Sequence, residues 1–114
     1  MVKRGDVYYA RLNPVEGSEP QGTRPVVVVS RDAINENSPV IIIVPVTTKR
    51  SKRKVYPSQV ILKAGDGDLP MESVALGEQV RAINKTRLGD RLGHLSESAM
   101  SAISVCLKIA LDLS

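Results

Sequence analysis

The sequence predicts a mainly β domain with a single C-terminal helix, its strands forming a small, strongly bent sheet or partly open barrel. Three observations predict it. Short runs of Val, Ile and Tyr recur at close spacing, separated by clusters of Gly, Pro, Asn and Asp. One segment, Ser96 to Leu111, carries apolar residues at helical spacing. Hydrophobic residues make up 42% of 114 residues, yet aromatics are only 3%, three tyrosines without Phe or Trp. The core therefore has to be filled by Val, Ile and Leu. That length is one domain's worth of chain, so residues 1–114 are read as a single unit without internal repeats.

Asp6 to Leu12, rich in Val and Tyr, reads as the first strand. Asn13 to Thr23 holds two prolines and two glycines and reads as a loop. Arg24 to Arg31 contains four consecutive valines, and such a run predicts a strand buried on both faces. Asn35 to Pro39 reads as a turn. Val40 to Thr47 is a second apolar strand, where Pro45 implies a bulge or a sheet edge. A basic loop follows. Tyr56 to Lys63 alternates weakly and reads as strand, and Ala64 to Pro70 is turn-rich. Ser73 to Asn84 reads as one more strand. In the helix, Ser96 is the expected N-cap and Ala99, Met100, Ile103, Cys106, Leu107 and Ala110 form the buried stripe. Val105 and Ile109 lie off that stripe, so the helix is either wedged between sheet and loop or meets another subunit, and a homodimer is the favoured reading.

Charge is unevenly distributed. Lys and Arg number 16 against 12 Asp and Glu, a net charge of +4. Five of the cations, Lys49, Arg50, Lys52, Arg53 and Lys54, fall in one short stretch, and without them the chain has eleven cations against twelve carboxylates. Such a stretch is either a phosphate-binding edge or a solvated loop that guards a strand edge.

Several chemistries are excluded. There is no Walker-type phosphate loop, and one His with one Cys cannot build the usual zinc sites. Asp66 and Asp68 resemble the start of a calcium loop, but the position of its bidentate Glu is Gly77, so this is a turn. No metal or cofactor is expected. His94 reads as structural or exposed, and Cys106 as core filler that cannot form an intrachain disulfide. The longest apolar run, Val40 to Val46, is far short of a membrane span, and no export signal opens the chain, so a cytoplasmic setting is expected. The sequon Asn84-Lys85-Thr86 is irrelevant there.

Polar chemistry is left to strand ends. Arg24 begins the valine strand and Thr47 ends the next one. Antiparallel pairing of the two brings an arginine and a hydroxyl to one rim, bordered by Ser18, Glu19 and the basic run. The plain alternative is a surface cation and a strand terminator.

Four stretches carry a resemblance. They are Arg4-Gly5-Asp6-Val7-Tyr8 with Leu12-Asn13-Pro14; Gly17 to Val28; Pro45-Val46-Thr47-Thr48 followed by Tyr56-Pro57; and Leu76-Gly77-Glu78-Gln79-Val80-Arg81 followed by Arg87-Leu88. In this order they closely resemble the MazF/PemK toxins of bacterial toxin–antitoxin pairs over about the first ninety residues. The resemblance implies a small SH3-like, partly open barrel of the MazF/PemK/CcdB type. It also implies a homodimer, a sequence-selective endoribonuclease that needs no metal, and single-stranded mRNA as substrate. Its implied partners are a cognate antitoxin with an acidic tail and an antitoxin-mediated operator DNA complex. The catalytic Arg and Thr of the family fall on Arg24 and Thr47, its loop Glu on Glu19, its neighbouring Ser on Ser18 and its Gln on Gln79. Thr48, Lys49, Arg50, Lys52, Arg53, Lys54 and Tyr56 complete the expected RNA-binding set, with Tyr56 either stacking a base or packing under the loop. Two departures from the family's pattern are a longer basic run and Asn84 in place of a common acidic residue. The alternatives are a CcdB-like, non-enzymatic topoisomerase inhibitor and a plain RNA-binding module.

Overall fold

The valine run lies at the centre of the molecule. A computed structural model describes residues 1–12, 17, 22–51 and 53–114. Its elements are β1 (Asp6–Arg11), β2 (Thr23–Val28), α1 (Asp32–Asn37), β3 (Val40–Thr48), β4 (Gln59–Leu62), β5 (Ser73–Leu76), β6 (Arg81–Asn84), β7 (Leu88–His94) and α2 (Glu97–Ala110). The seven strands form one antiparallel, unclosed sheet in the order β4-β5-β3-β2-β1-β7, with β6 also on β3. Among the described residues, no helix is long and apolar enough to cross a membrane.

Alternation along β2 and β3 fills two cores at once. Val27, Val29, Val44 and Val46 point to one face, where α2 covers them through Ile103 with Ala99, Met100 and Leu107. Val26, Val28, Ile41 and Ile43 point to the other face and meet Ala10, Leu12 and Ile83. The four valines Val26 to Val29 are at most 7% exposed, as the continuous run predicts. The strand stops at Val28 because the next carbonyl, Val29 O, accepts from the Arg4 guanidinium, which also donates to Ser104 Oγ of α2 at 2.9 Å.

Pro45 is neither bulged nor at an edge; it is buried inside β3. The register explains why. Val29 N–H donates to Ile42 O at 2.9 Å, and alternation from there leaves Pro45 and Val26 as a non-hydrogen-bonded pair. The nitrogen of Pro45 therefore faces the opposite edge of β3. There β6 has ended opposite Ile43 and β5 begins opposite Val46, so the missing donor costs no ladder bond.

The same junction splits the expected strand Ser73 to Asn84 in two. Both halves pair with β3, but their registers differ by three residues, and Gly77–Gln79 is looped out as a single 3₁₀ turn. Gly77 allows this turn to sit tightly: a Cβ there would strike the Ser58 carbonyl and lie 2.8 Å from Cys106 Sγ. The expected turn Asn35 to Pro39 is mostly the end of α1. Asn35 is 1% exposed; its amide donates to Ser30 O at 2.8 Å, and its oxygen accepts from Ser30 Oγ. These contacts, absent from any local pattern, stabilise a helix too short to form alone. Strand β7 was not expected, since its two glycines and three charged or His positions carry no strand signal. Strand ends differ from the sequence reading by up to three residues.

Helix α2 starts as expected. Ser96 Oγ accepts from Ala99 N–H at 3.2 Å, and Asp66 in turn accepts from both Ser96 N–H and Ser96 Oγ at 2.8 Å. The Asp66–Asp68 turn thus clamps the helix start. Ile103 and Cys106 are buried, while Val105 and Ile109 are 56% and 50% exposed. Burial pushes the Cys106 thiol upward, and the Glu78 charge adds to this, as befits core filler.

Asp6 fastens β1 to β7. It is 2% exposed and accepts from Arg91 Nη2 at 3.1 Å and Lys3 N–H at 3.0 Å, with His94 Nδ1 at 2.9 Å. Burial pulls its pKa up, but the bonds from His94, Arg91 and Lys3 prevail and hold it below the ordinary carboxylate value. A depressed folded pKa gives stability that is complete above the unfolded value of about 3.9 and lost as pH falls through the folded value. Asp6→Asn is expected to cost about 2 kcal/mol at pH 7 by urea unfolding, because Arg91 loses its buried partner. The gap to the parent is expected to narrow in acid below about pH 4. Gly77→Ala is expected to cost about 1–3 kcal/mol in the same assay, since the Ser58 backbone has to move.

Candidate active site

The geometry of the site follows from one register. Val26↔Pro45, Val27↔Val44 and Val28↔Ile43 are paired in β2 and β3. Continued by two residues, this register sets Arg24 opposite Thr47. The regular ladder stops before them for a local reason: at Pro25 the chain has no N–H to donate to Val46 O. Alternation puts Arg24 with Val26 and Val28, and Thr47 with Pro45, Ile43 and Ile41. Both side chains therefore leave the sheet on the face turned away from α2. Both residues are half-buried. Their strands are held from the outside as well, Arg24 opposite Ala10 of β1 and Thr47 opposite Val74 of β5.

Two further groups approach this end. Gln79 precedes β6, whose pairing with β3 ends at Ile43↔Arg81. Gln79 is half-buried and ends the 3₁₀ turn that fills the β5–β6 junction. Arg81, which the sequence reading quoted but gave no role, shares its face of β6 with Ile83 of the same core. Its Nη1 donates to Leu12 O at 3.5 Å, the long limit for such a bond, and so brings a second guanidinium to the end of β1. The available signal was the alternation Arg81-Ala82-Ile83-Asn84, which puts the cation on the side of the buried Ile.

The basic segment leaves β3 directly after this rim. Thr48 is exposed and is the last residue of the strand. Lys49 donates its N–H to Glu72 O at 2.9 Å, and its ammonium lies 3.8 Å from the Glu72 carboxylate. Arg53 N–H donates to Arg50 O at 2.9 Å, closing a turn, and Arg50 and Lys54 are exposed. The Lys54 ammonium lies 5.3 Å from the centroid of the Tyr56 ring, a cation–π distance. Tyr56 is 52% exposed, so it does not pack under the loop. It lines a groove of about 540 Å³ with Pro57, Gln59, Glu78 and Ile109, beside α2 rather than on the Arg24 face. Ser18, Glu19 and Lys52 lie outside the described residues. Among the described residues, no group of three or more His, Cys, Asp or Glu could hold a metal ion.

A guanidinium and a hydroxyl on one face match the demands of a phosphodiester. The planar guanidinium can hold two phosphate oxygens at once, and the threonine can donate to one non-bridging oxygen.

Comparison with known proteins places the chain in a family. Residues 3–111 match the family described as PemK-like, MazF-like toxin of type II toxin–antitoxin system. Among solved structures, an endoribonuclease from a mycobacterial species in complex with its cognate antitoxin is 27% identical, with a TM-score of 0.83 over 100% of this chain and 98% of that one. MazF from Deinococcus radiodurans is 25% identical, with a TM-score of 0.81 over 97% of this chain and 96% of that one. The Mycobacterium tuberculosis toxin MazF-mt6, 23% identical, shares the fold with a TM-score of 0.79 over 96% of this chain and 98% of that one. With nearly its whole length matched in sequence and in fold, the chain belongs to the PemK-like, MazF-like toxins of type II toxin–antitoxin systems.

Proposed function

We propose that this toxin is a sequence-selective, metal-independent endoribonuclease that cuts single-stranded mRNA and so arrests translation and growth. The observation that supports this reading is the β2–β3 register from Val26↔Pro45 to Val28↔Ile43, whose continuation by two residues would pair Arg24 with Thr47. In the proposed step the ribose 2′-hydroxyl loses its proton and attacks the adjacent phosphorus, the P–O5′ bond breaks, the departing 5′ oxygen takes a proton from solvent water, and a 2′,3′-cyclic phosphate and a 5′-hydroxyl result. The pentacoordinate phosphorane carries two negative charges. Arg24 stabilises it through two oxygens, and Thr47 donates to a third acceptor site. Arg24 is assigned charge stabilisation alone, not the role of base. Glu19 is assigned to remove the 2′ proton or, failing that, to orient Arg24.

Recognition is assigned to the cations Lys49, Arg50, Lys52, Arg53 and Lys54 for backbone charge, and to Ser18, Thr48 and Gln79 for base edges. Tyr56 is given base stacking, its exposed ring being available for it. The structure of a mycobacterial endoribonuclease with its antitoxin supports a cognate antitoxin here too, its acidic tail complementing the basic segment. A second copy of the chain is proposed to cover Val105 and Ile109, and the toxin–antitoxin complex to bind operator DNA.

Single-stranded RNA incubated with the protein and excess chelator is expected to be cut at defined sequences, with cyclic phosphate on the upstream fragment. Intact RNA in chelator that is cut only on adding magnesium would falsify metal independence. Arg24→Ala is expected to lower the single-turnover rate by about 10²–10³ or more with unchanged thermal melting, and Thr47→Ala by a smaller factor, about tenfold or more. Normal cutting by Arg24→Ala removes the site assignment.

A further inference from the structure

Glu78, in the middle of the Gly77–Gln79 turn, lines the Tyr56 groove and brings a negative charge beside the basic segment. Its carboxylate is held from across the groove. Gln59 Nε2 donates to Oε2 at 2.8 Å and Ser58 Oγ to Oε1 at 3.3 Å. Gln59 is fixed in turn: its Oε1 accepts from Tyr56 N–H at 3.3 Å, and its own N–H donates to Tyr56 O at 2.9 Å. The carboxylate and the Tyr56 segment therefore form one hydrogen-bonded unit. A carboxylate has about four lone-pair sites, so each oxygen of Glu78 can accept again after these two bonds. Glu78 is exposed, and a ligand in the groove can reach it. Charge decides what enters. A phosphate is repelled by the carboxylate, whereas an N–H or amino group is attracted. The groove, of about 540 Å³, is bounded by Tyr56 and Pro57 of the loop and by Ile109 and Ala110 of α2, flat and apolar surfaces that suit a base.

We propose that this groove is a nucleobase pocket that takes guanine and rejects uracil, with Glu78 reading the edge of the base. Tyr56 stacks on the base, and Lys54, whose ammonium lies 5.3 Å from the ring centroid, supplies a cation for the attached phosphate. Guanine presents N1–H and the N2 amino group side by side, and these two donors match the two oxygens of a carboxylate. Adenine and cytosine present one amino group beside an acceptor nitrogen. Uracil presents one N–H between two carbonyl oxygens, which the carboxylate repels. Glu78 is thus a specificity-determining residue. A second copy over Val105 and Ile109 would border the α2 side of the groove; Lys54, Tyr56 and Glu78 belong to the other side. The pocket rests on the endoribonuclease reading above and deepens it, because it names the base taken at one position of the bound strand.

The test maps cut sites by sequencing 5′ ends from a randomised single-stranded RNA digested by the parent and by Glu78→Gln. At one position of the parent's site, guanine is expected to be favoured over uracil by about tenfold or more. In Glu78→Gln the preference at that position alone is expected to move toward uracil, because an amide offers one acceptor and one donor, matching N3–H and O4. Inosine in place of that guanine lacks the amino group; it is expected to slow the parent about tenfold and to leave Glu78→Gln unaffected. Tyr56→Leu is expected to lower the rate about tenfold for every base at that position without changing their ratio. Glu78 is exposed, so Glu78→Gln is expected to melt like the parent. Unchanged selectivity in Glu78→Gln overturns the pocket and leaves the endoribonuclease reading intact. An equal loss of rate on all sequences makes Glu78 a structural residue and does the same, as does adenine, cytosine or uracil at the position that the variant alters. A parent that cuts no RNA overturns the endoribonuclease reading, and the pocket with it.

Discussion

The pairing register of β2 with β3 is the constraint on which the rest depends. It sets which valines face α2 and which face the second core, and so determines both cores together. A slip of one residue would exchange the two sets and move Arg24 to the helix side. Two prolines frame this pairing. Pro45 turns its missing donor to the junction of β5 and β6, where the ladder on that edge is already interrupted. Pro25 turns its own to β3, and regular pairing stops just before Arg24 and Thr47. The candidate site thus lies where the sheet's hydrogen bonding gives out while the strands remain aligned by their outer neighbours.

Around that centre, polar groups fasten the periphery. Asp6 ties the first strand to the last through Arg91 and His94, and Asp66 clamps the start of α2 through Ser96. Arg4 bridges the end of β2 to the middle of α2. These contacts join residues 25 to 100 positions apart, so the small sheet gains long-range fastening that a core without Phe or Trp supplies less densely.

The chemistry divides between the two faces of a single strand. Arg24 of β2 and Thr47 of β3 share one face by alternation; Arg11 and Thr23 stand on the other. Alternation in a strand usually separates core from solvent. Here, past the edge of both cores, it separates two polar surfaces.

Much of this was legible in the sequence. The valine run announced a strand buried on two sides, Ser96 announced the cap of α2, and the short connection to Val40 announced antiparallel pairing of β2 with β3. Each is a local or near-neighbour effect: side-chain period, a capping hydroxyl, a hairpin-length link. Tertiary structure decided what local pattern could not. β7 exists because β1 offers it an edge and Asp6 a buried anchor, although its own residues favour no strand. The break at Gly77–Gln79 exists because two registers on β3 differ by three residues, and only the partner strand defines a register. The convergence of Arg11 with Arg87, 76 positions apart, is likewise invisible in the chain, because like charges meet only where the backbone brings β1 and β7 together.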